Sequence, residues 1–385
     1  MRLWGGAGAS PVTLARRRWR GGGLVSAIPA LALLAACSIV PAPPKGGSGG
    51  VDALAAFTGA HPMAPAIPPT ATEVSVSPDG QNVAFVFPDL DPNGRPLSYH
   101  LLAGPVGGEA RELLDTSAEL RCITWQASGH ELLVNERALA GSSQGAQGSE
   151  ASSADLWQAV MVDVASARAN NVGVPFLGGG AEVSPDGELI GVPARDPKTE
   201  AVDLEVVDVA DGSSSVVLPR DLLSVREFGW VPGPSQSLWA LGERPSGGLA
   251  AATADPSGTP SFLGGLAREP DAIFWNATPS VLRTLWIGGS PKLVDFSTGG
   301  SAGATTSLPV SLPAPFRQPL IVSPDGLSAV VELFRYQVGG DPDRTVVVDI
   351  MDGKQITFPP CRPWAWIGNS GFICSSGTSF YRLDL

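Results

Sequence analysis

Ser77-Pro78-Asp79-Gly80 recurs as Ser184-Pro185-Asp186-Gly187 and again as Ser323-Pro324-Asp325-Gly326. A brief apolar run precedes each copy (Val74 to Val76, Ala181 to Val183, Leu320 to Val322), and another follows (Val83 to Phe87, Leu189 to Val192, Ala329 to Leu333). Pro presets φ, Asp bonds the backbone just after it, and Gly takes a positive φ without steric cost. Apolar run, Pro-Asp-Gly, apolar run is therefore a β-hairpin. A hairpin that returns at long intervals marks a repeat.

Four more stretches have the same shape with Trp on the first strand: Ile123-Thr124-Trp125, Phe228-Gly229-Trp230, Ile273-Phe274-Trp275 and Trp364-Ala365-Trp366. Seven units then begin near residues 74, 123, 181, 228, 273, 320 and 364. The interval, about 50 residues, is close to the period of a four-stranded propeller blade. Val162-Asp163-Val164, Val207-Asp208-Val209, Val294-Asp295-Phe296, Val348-Asp349-Ile350 and Leu383-Asp384-Leu385 read as the third strand of their units. Ala210-Asp211-Gly212 and Met351-Asp352-Gly353 read as turns into the fourth. The expected fold is all-β: a seven-bladed β-propeller of four-stranded blades over residues 71–385. The second strand of a unit is apolar on both faces because blades stack face to face. The last unit ends after its third strand, which would leave unpaired backbone groups. A segment between Val51 and Thr70 is expected to supply the fourth strand and close the ring.

The Ser-Pro-Asp-Gly hairpin, the Val-Asp-apolar strand and the Asp-Gly turn together resemble the WD40-like repeat of TolB-type β-propellers. They also resemble the propeller portion of LpqB-type envelope lipoproteins. The resemblance implies a propeller that docks proteins in a bacterial envelope rather than one that catalyses a reaction.

High Gly and Pro content (47 and 36 residues) with only 16% charged residues suits a ring of short strands and many turns. Residues 1–36 stand apart as a lipoprotein signal peptide. Arg16, Arg17, Arg18 and Arg20 form a basic region, and Leu24 to Ala36 form an apolar one too short to span a bilayer. Leu34-Ala35-Ala36-Cys37 resembles a bacterial lipobox, in which the Cys thiol is diacylated, with palmitate-like chains, and the chain is cut before it. Residues 37–70 then read as a lipid-anchored tether, rich in Pro and Gly, that leads into the closing segment. The formal net charge is −12. Residues 1–36 hold five Arg and no acid, so the remainder sets 20 basic against 37 acidic residues, or −17. Such a surface repels nucleic acid and anionic headgroups, so a lipid on Cys37 must hold it at the membrane.

No familiar catalytic constellation survives its context. Gly141-Ser142-Ser143-Gln144-Gly145 matches a nucleophile elbow, but it sits in a Gly/Ser/Ala-rich loop and no His follows His130. Asp89-Leu90-Asp91-Pro92-Asn93-Gly94 opens like a calcium loop, but the twelfth position, which needs Glu, is His100. The three His lack metal-ligand spacing. The four Trp read as inter-blade packing. No cofactor and no metal is therefore expected. Cys361 and Cys374 flank the last hairpin and are candidates to pair across it; Cys122 reads as a buried thiol.

Function tends to sit on loops carried by a rigid scaffold. The turns joining first to second strands are short, whereas the loops joining second to third strands are longer and richer. The candidate partner-binding residues are accordingly Asp89, Asp91 and Asn93 in unit one, Arg195 and Asp196 in unit three, and Asp341, Asp343 and Arg344 in unit six. The expectation is a non-catalytic, monomeric lipoprotein on the extracytoplasmic face of a bacterial cell membrane, docking an envelope protein partner. The alternative is a glycan-binding or catalytic propeller that uses its central channel.

Overall fold

The computed structural model describes residues 54–385 apart from 138–155, 178–179, 196–201, 218–221, 223, 233–235, 256–259, 278–279, 298–303, 313–315, 317–319 and 335–342. Among the described residues every regular element is a β-strand, and no helix is long and apolar enough to cross a membrane. The leader, Cys37 and the loop carrying Ser143 lie outside the described residues.

The ring begins and ends in the same blade. Strand β1 (Ala60–Pro62) comes first in the chain. Blade one follows as β2 (Glu73–Val76), β3 (Asn82–Leu90), β4 (Pro96–Pro105) and β5 (Arg111–Thr116). Blade two is β6 (Glu119–Trp125), β7 (Glu131–Arg137), β8 (Leu156–Asp163) and β9 (Arg168–Leu177). Blade three is β10 (Glu182–Val183), β11 (Leu189–Arg195), β12 (Val202–Asp208) and β13 (Ser214–Val216). Blade four is β14 (Ser224–Trp230), β15 (Leu238–Glu243), β16 (Leu249–Ala254) and β17 (Pro260–Leu266). Blade five is β18 (Ala272–Ala277), β19 (Ser280–Trp286), β20 (Lys292–Phe296) and β21 (Thr305–Ser307). Blade six is β22 (Ile321–Val322), β23 (Ser328–Leu333), β24 (Arg344–Asp349) and β25 (Gln355–Phe358). Blade seven is β26 (Arg362–Ile367), β27 (Gly371–Ser376) and β28 (Ser379–Asp384), completed by β1. Within blades, consecutive strands pair antiparallel; a single parallel pairing, Val202 with Ser224, bridges blades three and four.

Closure comes from the segment expected to provide it. Ala60, His61 and Pro62 pair with Leu383, Arg382 and Tyr381. The Met63 N–H donates to the Phe380 carbonyl at 3.0 Å, and the Phe57 ring meets Phe358 edge-on at 5.6 Å. The Pro-rich composition suits this outermost position, where one edge of the strand needs no partner.

Seven buried apolar clusters fill the seven gaps between neighbouring blades. The cluster of Leu101, Leu120 and Leu132 joins blades one and two, and that of Val74, Phe85 and Ile373 joins blades seven and one. The second strands feed both of their gaps at once: in β3, Val83, Ala84, Phe85 and Val86 are all fully buried. Truncating such a residue, Phe372→Ala for instance, should cost about 3–5 kcal/mol through the cavity it leaves.

The three Ser-Pro-Asp-Gly turns share one hydrogen-bond pattern. In the first, the Ser77 hydroxyl donates to Asp79 Oδ1 at 2.5 Å and accepts the Asn82 N–H at 2.9 Å, while Asp79 Oδ1 accepts the Gln81 N–H at 3.0 Å. Ser184 with Asp186 and Ser323 with Asp325 repeat these bonds. Each closing Gly has a positive φ, 71°, 80° and 71°, which any side chain would strain. The turns also tie blades together: Gln126 Nε2 donates to the Asp186 carbonyl at 3.0 Å, and the Asp325 N–H to Asn369 Oδ1 at 3.2 Å.

Two of the Trp units use a different tie. The Trp230 indole N–H donates to the Glu182 carbonyl at 2.9 Å, and that of Trp366 to the Ile321 carbonyl at 3.0 Å, each on the innermost strand of the preceding blade. Trp125, Trp230 and Trp366 are buried as expected; Trp275 is only half-buried and bonds Ser280 within its own hairpin. Cys361 and Cys374, both buried, form a disulfide with a Cα–Cα distance of 5.8 Å. Cys122 departs from its expected place: it is half-buried at a bulge of β6 rather than fully buried.

Candidate functional site

The loops proposed from sequence as a docking rim belong to blades one, three and six. Asp89 is the last residue but one of β3, and Asp91 and Asn93 lie in the β3–β4 loop of blade one. Arg195 ends β11 of blade three, and Arg344 opens β24 of blade six after an exposed Asp343. Blades one, three and six are not neighbours in a ring of seven. Asp196 and Asp341 lie outside the described residues, as does most of the long loop of blade two.

Several of these groups are already occupied. Asp91 Oδ1 accepts the backbone N–H of Arg95 at 2.9 Å and of Asn93 at 2.7 Å, and these bonds hold its carboxyl below the usual range. The calcium-like stretch is thus an Asp-capped turn whose key carboxylate serves its own backbone. Asp89 turns back to His100, with Oδ2 3.2 Å from Nε2.

His100 is the centre of a group that sequence spacing did not reveal. It lies on β4, side by side with Phe87 on β3 and Asp115 on β5. Its ring stacks on Phe87 at 5.1 Å. Nδ1 is 3.1 Å from Glu112 Oε2 and 3.8 Å from Asp115 Oδ1. Burial alone would lower the imidazole pKa, but the Glu112 and Asp89 hydrogen bonds and the Asp115 charge reverse this, and the net shift is upward. His100, Glu112 and Asp115 are also the one set among the described residues whose ligand atoms are close enough to hold a metal ion. Both ring nitrogens are thus engaged by carboxylates, and the His bridges three of them.

A second group of acids gathers along the innermost strands and resolves differently. Glu119, buried at the start of β6, is paired with Arg121 at 2.6 Å and with Arg137. Glu73, at the start of β2, is pushed up to about 7 by burial; Arg121, the Cys122 backbone N–H and Arg362 offset part of the rise. Glu182 opens β10 and burial pushes it up to about 7. Glu227 on β14 is pushed up to about 8, by burial first and then by the charges of Glu269 and Glu182.

A bulge in β14 sets this arrangement. Val225 pairs with Gly242 and Glu227 with Leu241, so Arg226 is the extra residue. Its guanidinium swings to Glu243 and, at 2.9 Å, to Glu269. Glu227 is left without an ion pair among the described residues and shares a cavity wall with Glu182. Both half-buried carboxylates border a cavity of about 380 Å³ between the innermost strands of blades three, four and five, walled by Trp230, Phe274 and Trp275. A larger cavity of about 590 Å³ lies between blades five and six. Its acid, Asp271, is spent on the backbone N–H groups of Ile287 and Gly288 at 2.6 and 3.0 Å.

No protein-family profile matches the chain, and no curated protein matches it in sequence. Solved structures do resemble it. Oligogalacturonate lyase from Vibrio parahaemolyticus superposes with a TM-score of 0.57 at 11% identity, over 83% of this chain and 92% of its own. The β-propeller domain of the Trilobed protease from Pyrococcus furiosus gives 0.51 at 8% identity, over 84% and 94%. TolB from Acinetobacter baumannii gives 0.45 at 14% identity, and the chain, matched over 80% of its length, spans 65% of TolB. Enzymes and a TolB protein thus appear side by side, and at these identities the likeness is one of fold: the β-propeller.

Proposed function

We propose that the protein is a non-catalytic lipoprotein, anchored through Cys37 to the outer side of a bacterial membrane, whose propeller docks an envelope protein. The observation that carries this reading is the route of the chain. A lipobox-like Leu34-Ala35-Ala36-Cys37 is followed by a Pro/Gly-rich stretch that runs directly into the strand closing the ring. The stretch from residue 38 to 53 can reach at most about 55 Å when extended, so the ring is displayed close to the bilayer. The rigid ring, with its turns spent on inter-blade ties, supports a scaffold role. The engagement of both His100 nitrogens by carboxylates supports a structural role for that residue.

Fractionation of cells carrying wild-type and Cys37→Ser chains tests the anchor, and affinity capture from detergent-solubilised membranes tests docking. Wild-type protein should partition with membranes, carry a diacylglyceryl thioether on Cys37, and recover a discrete partner at near-stoichiometric yield. Unchanged fractionation of the variant, or a disulfide from Cys37 to Cys122 in place of the thioether, would contradict the anchor.

A second reading, a glycan-binding or catalytic channel, is favoured by the cavity at Glu182 and Glu227. Recovery of cell-wall glycan alone in the capture experiment would favour it.

A further inference from the structure

We propose that the cavity between the innermost strands of blades three, four and five is a binding site for a protonated primary amine. The ammonium group sits between the carboxylates of Glu182 and Glu227, against the partly open faces of Phe274 and Trp275. This site does not depend on the anchor or on the docking role.

The inference rests on what the two carboxylates lack. Neither receives a hydrogen bond or an ion pair from any other described residue. They sit on adjacent blades, both line the same cavity, and the Glu182 charge adds to the cost of ionising Glu227. Half-buried, unpaired like charges are unfavourable unless a proton or a cation joins them. Arg226, next to Glu227 in the chain, is committed to Glu243 and Glu269. Two other acids buried among strands are paired: Glu119 has two Arg, and Asp295 lies 2.8 Å from Arg283. Glu182 and Glu227 instead lie in a concave, aromatic-walled space, where a polar pair among apolar walls marks a binding site.

The chemistry selects an ammonium ion over other ligands. A divalent metal would seek six or more oxygens or a set of nitrogens and sulfurs, and the cavity wall beyond the two acids is mainly aromatic and aliphatic. An ammonium group brings three donors to acceptor-only carboxylates and is attracted to aromatic faces. The site is pre-organised: the Glu182 backbone is fixed by the Trp230 indole, and Glu227 by the β14 bulge. The amine can come from a free small molecule or from a lysine presented by a protein partner.

The test uses the full mature chain, titrated with n-butylamine and with the peptide acetyl-Gly-Lys-Gly-amide and followed by Trp275 indole chemical shifts. n-Butanol and the norleucine peptide are the neutral controls. Both amines should bind, with dissociation constants on the order of millimolar, as expected for one charged group in a small site. Glu182→Gln or Glu227→Gln alone should weaken binding about tenfold, and the double variant should abolish it. These near-isosteric changes relieve an unpaired charge, so the variants should fold; cooperative thermal unfolding checks this. Tighter binding of the peptide assigns the site to a partner's lysine, and tighter binding of n-butylamine assigns it to a free amine. Equal response to the neutral controls, retained binding in the folded double variant, or saturation by N-acetylglucosamine that ignores both substitutions would overturn the proposal.

Discussion

Blade one and the ring's inner edge each bring acids together, and the two places resolve the crowding in opposite ways. In blade one, Asp89, Glu112 and Asp115 converge on a single imidazole, which ties three strands together. At the inner edge of blades three and four, Glu182 and Glu227 converge on nothing, because the nearby guanidinium of Arg226 is turned away by a bulge. The same residue types therefore form a structural clasp in one place and an open charge pair in the other. The difference lies in the cation, and it shows which acids are spent on the fold and which are left for a ligand.

The largest effect should come from neutralising the inner pair. A carboxyl whose folded pKa is raised binds its proton more tightly when folded. The associated stability is complete below the unfolded carboxyl value and is lost as pH rises through about 7 to 8. Glu182→Gln with Glu227→Gln should therefore stabilise the protein at pH 9 by on the order of 2 kcal/mol, a figure held down by the solvent exposure of both groups. The gain should vanish by pH 5. Urea unfolding at the two pH values measures it, and a variant less stable than wild type at pH 9 would remove the contrast.

The blade-one clasp should behave in the reverse sense. A His whose folded pKa is raised contributes stability that is complete below the unfolded histidine value and fades as pH climbs through the raised folded value. His100→Asn should cost about 1 kcal/mol near pH 6 and distinctly less at pH 9. Equal losses at both would mean that packing on Phe87, not charge, is what His100 contributes. The smallest effect should come from Asp89→Asn, whose carboxylate is well exposed. It should cost no more than about 0.5 kcal/mol at pH 6, yet should lower the imidazole pKa seen by NMR.

The ring itself was legible because its signals are local. A Pro-Asp-Gly turn or a Trp on the first strand marks each unit, and the expected starts near 74, 181 and 320 fall within one residue of β2, β10 and β22. The Trp units begin two to four residues earlier than expected at β6, β14 and β26. In all three, a bulge lengthens the first strand, at Cys122 and Ile123, at Arg226 and at Trp364. Closure by β1 was legible from the missing partner of Leu383. The sites were not, because both depend on register across strands. His100 meets Glu112 only through a bulge between Leu101 and Leu102. Glu182 and Glu227 lie in different repeats, each beside an apolar run that dominates its pattern. The loops singled out for their length and charge fall on blades that do not adjoin, and the Asp91 carboxylate is consumed by its own turn.

The most direct test of the contrast between spent and open acids is a ¹³C NMR titration of the Glu carboxyl carbons, with Glu182 and Glu227 assigned through their Gln variants. The account predicts midpoints near 7 for Glu182 and near 8 for Glu227 in the free protein, both moving down when n-butylamine saturates the site. Midpoints in the ordinary carboxylate range, unmoved by the amine, would contradict it.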